Sequence, residues 1–553
     1  MAASTSTPGS PLMAAILARD HTAYRHKVAA VTREEELREL LLGDRPSLSP
    51  RARLWGWLGP LTLTVLGGLL RFWHLDRPAK LVFDETYYVK EGWSLIRFGT
   101  EMQLKPGVTD VMWNSGTTDV HNPTLGNIVV HPPVGKWVIG AGEWLFGADS
   151  PFGWRFSVAL LGTLSILMVG RIALRLFGSV TLATIASLLI AFEGLHFTMS
   201  RTSLLDMPLM FFALAGFGAL LIDRDRSRAV LARKVGALPR GEWPRWGPWL
   251  GARPWRWVAG VMLALATSTK WSGLLFVACF GLMTVWWDLG ARRTAGVRHW
   301  LAAGLLKDGP YAAVQLVVVT AVVYPLTWLG WFLNPHAYLR GWAAANPGQG
   351  VQWLPEWARS FVHYHHDMWA FNTTLTKPHS YQSNPWGWLV QARPTSFFYE
   401  GPKKGELGCA VDQCSQAVHT IGTISLWWAG LVALFVVLHQ WLARRDWRAG
   451  AIAAGVIAGY GIWFYWQKRT IFAFYEITFE PFIVLAVVLV IGLLLRPALS
   501  PECPPNERQL RVVGIAAYLV VHVALFTYFY PIHAAEVIPY KEWYLRMWFP
   551  SWI

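Results

Sequence analysis

The sequence is poor in charge, in cysteine and in the motifs of common soluble enzymes. Only 15% of its 553 residues are charged and 54% are hydrophobic, whereas a soluble globular chain carries about 25% charged residues. These charges are too few to cover a soluble surface of this size. The same composition excludes disordered, collagen-like and disulfide-scaffold proteins. The remaining class is a membrane protein with several spans, provided that the apolar residues come in blocks long enough to cross a bilayer.

Several specific signals are also missing. The chain has no GxGxxG fingerprint, P-loop, GxSxG elbow or CxxC pair, which removes the usual nucleotide-binding and nucleophile motifs. Four cysteines are too few for a disulfide framework, although Cys409 and Cys414 lie in one polar loop and can pair in an oxidising compartment. Residues 1–53 are polar and charged, so we expect no cleavable signal peptide and an uncleaved anchor from Trp55 onwards.

The hydrophobic residues do form blocks of about the length that a bilayer requires. They predict an all-α, polytopic membrane protein with about eleven transmembrane helices. The blocks are 54–73, 155–176, 178–197, 206–222, 257–269, 271–288, 310–333, 421–441, 450–466, 471–495 and 511–530. A shorter apolar stretch, 131–147, predicts a helix on the membrane surface with Pro132 and Pro133 in its first turn.

The orientation follows from arginine and lysine, which concentrate in cytoplasmic loops. They cluster in 223–256, 289–309 and 442–449, so we expect these segments and the N-terminus inside and the C-terminus outside. This distribution accounts for the net charge of +15 without a nucleic-acid partner. The predicted regions are a cytoplasmic segment 1–53, a transmembrane module 54–333 with an extracytoplasmic loop 74–154, an extracytoplasmic loop 334–420 and a C-terminal transmembrane module 421–553.

Four cations lie at the predicted outer ends of the helices, against the usual charge bias. Arg201, Lys270 and Arg469 occupy short turns between spans, and Arg155 begins another span. Charge at membrane depth is costly and tends to be functional. These cations indicate an anionic group at the outer leaflet, with a lipid phosphate as the candidate. The alternative is that they are anchors whose charged ends reach the interface.

Two clusters in the outer segments are candidates for chemistry. Asp84 and Glu85 follow the first span, and a desolvated carboxylate there can accept a proton from a hydroxyl; the alternative is an ordinary solvated acidic pair. The motif His363-Tyr364-His365-His366-Asp367 contains metal-ligand types, but its spacing matches no metal signature. We therefore predict neither a metal site nor a cofactor.

The order of several short motifs resembles the protein O-mannosyltransferase family of the GT-C superfamily. No single motif is specific, but together they extend from about residue 55 to 530. The motifs are Phe83-Asp84-Glu85, His131-Pro132-Pro133-Val134-Gly135-Lys136, Arg155, Ser200-Arg201-Thr202-Ser203-Leu204-Leu205-Asp206, Lys270-Trp271-Ser272-Gly273-Leu274 and His379-Ser380-Tyr381-Gln382-Ser383-Asn384-Pro385-Trp386.

The resemblance implies transfer of mannose from polyprenyl-phosphate-mannose to Ser or Thr hydroxyls of translocating proteins, with inversion, on the outer face of the cell membrane. It implies Asp84 as the base, beside Glu85, and Arg155 as an essential arginine. Combined with the charge pattern, it makes Arg155, Arg201, Lys270 and Arg469 candidates for binding the donor phosphate. These cations could take the place of a divalent metal. The motifs add possible substrate-lining residues: His131, Lys136, Asp206, His379 and Tyr381.

One family feature is missing. Eukaryotic members carry a β-trefoil MIR domain where this chain has the segment 334–420, which is too short for a trefoil with linkers. The sequence therefore resembles the bacterial, actinobacterial-type branch, and selection of unfolded secreted or membrane-protein acceptors must have another basis. We expect membrane lipids and the protein-export channel as further partners.

Two other functions compete with this hypothesis. A GT-C transferase with the same lipid donor and a glycan or lipid acceptor would have a similar donor site. A transporter or flippase for a lipid-linked solute would carry inverted repeats and polar groups at the membrane midplane. The sequence has no internal repeat, and its polar clusters lie towards one predicted face.

Overall fold

A computed structural model describes residues 32–43, 48–239 and 241–553. Most of the predicted cytoplasmic segment 1–53 and the loop cation Arg240 lie outside these residues. The helices are α1 (Arg33–Leu42), α2 (Pro50–Phe72), α3 (Glu85–Phe98), α4 (Asp110–Asn114), α5 (Val134–Phe146), α6 (Pro151–Phe177), α7 (Val180–Ala191), α8 (Gly194–Ser200), α9 (Asp206–Gly236), α10 (Pro254–Thr267), α11 (Gly273–Thr294), α12 (Trp300–Thr327), α13 (Leu329–Leu333), α14 (Trp342–Ala345), α15 (Glu356–Thr374), α16 (Ile424–Leu442), α17 (Trp447–Tyr465), α18 (Glu480–Leu495), α19 (Pro505–His533) and α20 (Tyr540–Leu545).

Each of the eleven predicted apolar blocks coincides with a helical segment. Six helices of the described chain are long and apolar enough to cross a membrane, or seven if the bent pair α7 and α8 forms one span. The protein is therefore mostly helical with several apolar helices, and the count of eleven spans stays a prediction. The predicted breaks are present, because helices end at Ser200, Thr267 and Tyr465.

Small β-sheets correct the all-α prediction. Strands β1 (Met102–Leu104) and β2 (His121–Gly126) form an antiparallel pair. Strands β3 (Ser396–Glu400), β4 (Cys414–His419) and β5 (Val537–Pro539) form an antiparallel sheet in that order. These strands carry a weak sequence signal because each is only three to six residues long. The sheet joins the 334–420 segment to the C-terminal residues.

The described chain divides into two compact units. The smaller contains residues 32–43, Arg224–Arg253 and Trp287–Asp308. In it, Leu37 and Leu41 of α1 pack with Leu231 and Val235, while Arg33 donates a 3.0 Å hydrogen bond to the Leu238 carbonyl. This unit contains most of two cation-rich segments, 223–256 and 289–309, which the sequence places on one side of the membrane.

The larger unit contains residues 48–223, 254–286 and 309–553. Helix α2 packs closely against α6 and α7 because glycines line its contact face. A Cβ at Gly59 would lie 2.3 Å from the Thr184 hydroxyl, and one at Gly67 would lie 2.6 Å from Ile166. Small residues allow such close approach of membrane helices.

Helix α5 lies against the turn between α10 and α11. The Val134 amide donates to the Ser268 carbonyl at 2.9 Å, and a Cβ at Gly135 would lie 2.7 Å from Leu205 and 2.9 Å from Thr269. The motif around Gly135 thus brings the residues before Asp206 and Lys270 together. Contrary to the prediction, Pro132 and Pro133 precede the helix, which begins at Val134 after an N-cap at Pro133.

Candidate active site

Asp84 is the residue immediately before α3, and its position depends on a strained neighbour. Phe83 has a φ of 49°, which is uncommon for a bulky side chain and typical of functional sites. Its ring stacks on Phe397 at 4.8 Å and meets Phe472 and Phe474 edge-on at 5.7 and 5.5 Å. This aromatic packing stabilises the unfavourable backbone conformation of Phe83 and therefore fixes the position of Asp84.

Glu85 has a different role from its neighbour. It is fully buried and accepts two 2.9 Å hydrogen bonds from Arg155. It also accepts from the Ser203 amide at 2.9 Å and the Val82 amide at 3.0 Å. A buried carboxylate bound by a guanidinium and two amides is satisfied by the protein itself, so it ties the start of α3 to α6 and to the turn before α9.

Arg155 is equally occupied. Besides Glu85, it donates to the carbonyls of Leu75, Pro78 and Lys80 at 2.9–3.2 Å. These bonds use all five of its N–H groups. In this structure Arg155 therefore offers no hydrogen to a lipid phosphate and instead organises the loop that leads to Asp84.

Arg201 also binds protein carbonyls. It donates to the carbonyls of Arg71, Trp73 and His74, each at 2.7 Å. These groups lie at the C-terminal end of α2, where helical carbonyls lack intrahelical partners and attract cations. Arg201 thus caps α2.

The other two predicted cations line a cavity of about 550 Å³. His131 and Asp206 join Lys270 and Arg469 in its polar part. The rest of the wall is mainly aromatic and aliphatic. Its apolar and aromatic members are Trp271, Leu274, Leu275, Trp369, Ile462, Trp463, Tyr465, Trp466 and Tyr475. The arrangement fits a ligand with a charged group and an apolar chain.

Both cavity cations keep capacity for a ligand. The Lys270 ammonium donates to Asp206 at 2.7 Å and lies 5.1 Å from the centre of the Tyr475 ring. Arg469 donates to the Asn372 amide oxygen at 3.2 Å, and its buried Nε has no hydrogen-bond partner within the described residues. An unpaired buried donor is costly, and an anion in the cavity would satisfy it.

Asp84 belongs electrostatically to this cavity. Burial raises the pKa of its carboxyl to about 6, the positive charge of Lys270 lowers it in part, and the negative charge of Asp206 raises it. No side-chain hydrogen bond to the Asp84 carboxylate is present in the described part of the chain. Burial, together with Lys270 and Arg469, holds the pKa of His131 well below its usual range, so His131 is neutral and can contact a sugar hydroxyl.

The remaining predicted residues lie around the site rather than in the cavity wall. Lys136 is fully buried and paired with Glu101 and Glu91, so it stabilises the segment 74–154. The His379 ring lies 6.2 Å from Phe83 and 5.0 Å from Phe472, and the Tyr381 amide donates to His379 at 3.1 Å. Cys409 and Cys414 form a disulfide in the hairpin between β3 and β4.

The structure adds Asn372, Trp369, Trp463 and Trp466 to the residues that the sequence predicted for the site. Asn372 holds Arg469 and donates to the carbonyls of Val130 and Met368 at 2.9 Å. Of the cavity tryptophans, Trp271 lies in the turn before α11, Trp369 lies in α15, and Trp463 and Trp466 lie at the C-terminal end of α17. In the His363–Asp367 cluster, His363 stacks on Trp342 at 3.8 Å and His365 bonds the Tyr324 hydroxyl at 2.8 Å. Among the described residues, no three His, Cys, Asp or Glu side chains are grouped to hold a metal ion.

Comparison with solved structures defines the class. The fold matches the protein O-mannosyltransferase Pmt1-Pmt2 complex of S. cerevisiae, which was solved with its sugar donor. The TM-score is 0.65 and the identity 16%, over 95% of each chain. The chain therefore shares its fold with that complex.

Sequence comparison gives the family. A model described as dolichyl-phosphate-mannose-protein mannosyltransferase matches residues 61–336, and one for the C-terminal four-helix region of protein O-mannosyltransferase matches 358–491. The polyprenol-phosphate-mannose–protein mannosyltransferase of Mycolicibacterium smegmatis (strain MKD8) is 36% identical over 92% of this chain and 95% of its own. That of Corynebacterium glutamicum is 32% identical, over 85% and 88%. The chain belongs to the protein O-mannosyltransferase family.

Proposed function

We propose that this protein transfers mannose from polyprenyl-phosphate-mannose to Ser or Thr hydroxyls of proteins. The observation that carries this function is the near-full-length match at 36% identity to a relative named for this reaction. The cavity supports it, because a polar end with two cations continues into an aromatic and aliphatic wall. A phosphate and sugar suit the first part, and a prenyl chain suits the second.

The proposed reaction is a single displacement at the anomeric carbon. The acceptor oxygen forms a bond to C1 as the bond from C1 to the phosphate oxygen breaks. Asp84 takes the proton of the attacking hydroxyl, and the polyprenyl phosphate leaves with the electron pair of the broken bond. Configuration is inverted, and no enzyme nucleophile is required. The unengaged carboxylate of Asp84 and its pKa of about 6 suit this role.

The charge that develops on the leaving phosphate is stabilised by Lys270 and Arg469. Asp206 positions Lys270 through their 2.7 Å ion pair, and Asn372 positions Arg469. Arg155 and Arg201 do not contact the donor in this proposal. Arg155 binds the loop that leads to Asp84, and Arg201 binds the end of α2 before that loop. Glu85 fixes the loop through its bonds to Arg155. The proposal thus divides the predicted cations into two with donor contacts and two with structural contacts.

The location of the site is also a proposal. The Arg and Lys distribution and the apolar helices favour a multi-pass protein of the cell membrane, with the cavity on the extracytoplasmic side. Acceptors would then be unfolded secreted or membrane proteins, reached as they leave the export channel. The cavity cations give the leaving group its countercharge, so the proposed mechanism includes no divalent metal.

A transfer assay tests the function directly. Purified protein in lipid nanodiscs is given radiolabelled polyprenyl-phosphate-mannose and a Ser/Thr-rich peptide, and label on the peptide is measured with and without a chelator. Asp84→Asn should abolish labelling. The matched control is Asp119→Asn, since Asp119 is an exposed carboxylate of the same outer segment that pairs with Lys105 and Arg97. Label on a lipid or glycan instead of the peptide would overturn the acceptor class, and no label on any acceptor would overturn the function.

A further inference from the structure

Strand β3 is an edge of its sheet and contacts the loop that carries the proposed base. The sheet order β3-β4-β5 leaves one side of Ser396–Glu400 without a neighbouring strand. Beyond its pairing with β4, the strand's backbone receives only a 3.4 Å bond from the Ser396 hydroxyl to the Phe398 carbonyl, as far as the described residues extend. An open strand edge is a template for an added extended chain.

The loop that carries Asp84 runs alongside this strand. Lys80 forms an ion pair with Glu400 at one end of β3, and the Phe83 ring stacks on Phe397 at 4.8 Å near the other. These are side-chain contacts, and no backbone hydrogen bond joins the described residues 80–84 to 396–400. The loop therefore fixes the distance between strand and base without using the hydrogen-bonding groups of the strand.

Both the loop before Asp84 and strand β3 are held in place by side-chain contacts. Phe83 is held in its positive-φ backbone by Phe397, Phe472 and Phe474, and Asp84 follows it directly. On the strand side, the Tyr399 hydroxyl lies 3.1 Å from the Ser415 hydroxyl, and the Tyr399 ring lies 5.0 Å from that of Trp543. The strand and the residue before the base are thus held at a fixed distance from each other.

We infer that the free edge of β3 binds an extended Ser/Thr-bearing segment of the acceptor protein as an added strand, which presents one hydroxyl to Asp84. The inference rests on the proposed function and adds the means of acceptor recognition. Pairing through main-chain hydrogen bonds depends little on the side chains of the added strand. It therefore suits an enzyme that modifies unfolded segments of varied sequence. It also supplies a recognition element in a chain whose 334–420 segment has no room for a trefoil domain.

The added strand would be short. Strand β3 has five residues, so it spans about 17 Å at ~3.4 Å per residue. A register shift between Ser396 and Phe398 interrupts its pairing with β4, and such irregularities twist an edge and limit long pairing. These features favour a brief contact with a moving chain over a stable complex or self-association.

A backbone-methylation scan of the acceptor tests this inference with unaltered enzyme. The probe is a peptide about twice as long as β3 with one central Thr, prepared as a series in which a single backbone nitrogen is methylated at successive positions. Alternate N–H groups of a strand face the same neighbour. We expect KM to rise about five- to ten-fold, the effect of one lost hydrogen bond, at every second position and to change little between them.

The alternation is its own control, because the chemical change is the same at every position. Equal effects at all positions, or none at any position, would overturn the added strand. N-acetyl-threonine methylamide is too short to form a strand, so it separates failure of the added strand from failure of the proposed function. Its labelling with a flat methylation scan would reject the inference and keep the transferase. No labelling of this compound or of any peptide would reject the proposed function.

Discussion

Two groups of charged residues in the larger unit look alike in sequence and differ in their contacts. The anchoring group, Glu85, Arg155 and Arg201, binds protein atoms: the five N–H groups of Arg155 and the carboxylate of Glu85 are occupied. In the cavity group, Asp84, Asp206, Lys270 and Arg469, Asp84 accepts no side-chain hydrogen bond in the described residues, and Arg469 keeps an unpaired Nε. We propose from this contrast that the charged groups with unused hydrogen-bonding capacity contact substrate, whereas the fully bonded ones position the loop.

The largest change in transfer rate should come from substitution of Asp84, with no change in stability. Asp84→Asn should lower the rate of mannose transfer by about 100- to 10,000-fold, the usual contribution of a general base, without lowering the melting temperature. The assay is single-turnover transfer, with circular dichroism as the folding control. Near-normal turnover would remove Asp84 as the base.

The anchoring group should respond in the opposite way. Arg155→Gln leaves buried Glu85 without its cation, and breaking a buried pair costs about 3–5 kcal/mol. We expect poor membrane yield and a lower melting temperature in detergent, whereas the folded fraction should keep its KM for the donor. A stable variant with a strongly raised donor KM would instead return Arg155 to the phosphate site.

The substitution Arg469→Gln tests the role of the cavity group in donor binding. Loss of a charge-assisted hydrogen bond is worth about 1.5–3 kcal/mol, so kcat/KM for the lipid donor should fall about 10- to 100-fold with little change in thermal stability. Lys468→Gln is the matched control, since Lys468 is the exposed neighbouring cation. Similar losses in both variants would mean that only the net charge of the turn matters.

The smallest effect is on the pH profile. Asp84 must be ionised to accept a proton, and its pKa is about 6, so kcat/KM should decline as the pH falls below that value. Lys270 lowers this pKa and Asp206 raises it. Lys270→Gln should therefore move the acid limb to higher pH, and Asp206→Asn to lower pH. Shifts in the same direction would show that another group controls the limb.

Much of this organisation follows from local patterns. The apolar blocks predicted the positions of the helices, because a segment long enough for the bilayer must satisfy its own backbone hydrogen bonds. The ends of the apolar blocks predicted the three breaks around Arg201, Lys270 and Arg469. The ordered motifs predicted the family. The strand Val537–Pro539 could not be predicted from a local pattern, because its partner Cys414–His419 lies more than a hundred residues away in the sequence.

Composition, hydrophobic periodicity and motif order were thus enough to predict a mostly helical protein and its mannosyltransferase family. Which charged residues bind protein atoms and which line the cavity depended on the tertiary structure. Arg155 and Arg469 are the same residue type, and each follows an aromatic or basic neighbour at a helix end. Only folding gives Arg155 a full set of carbonyl and carboxylate partners and leaves Arg469 beside a cavity. A hydrogen bond depends on atoms that are close in space, and the partners of both arginines come from distant parts of the chain.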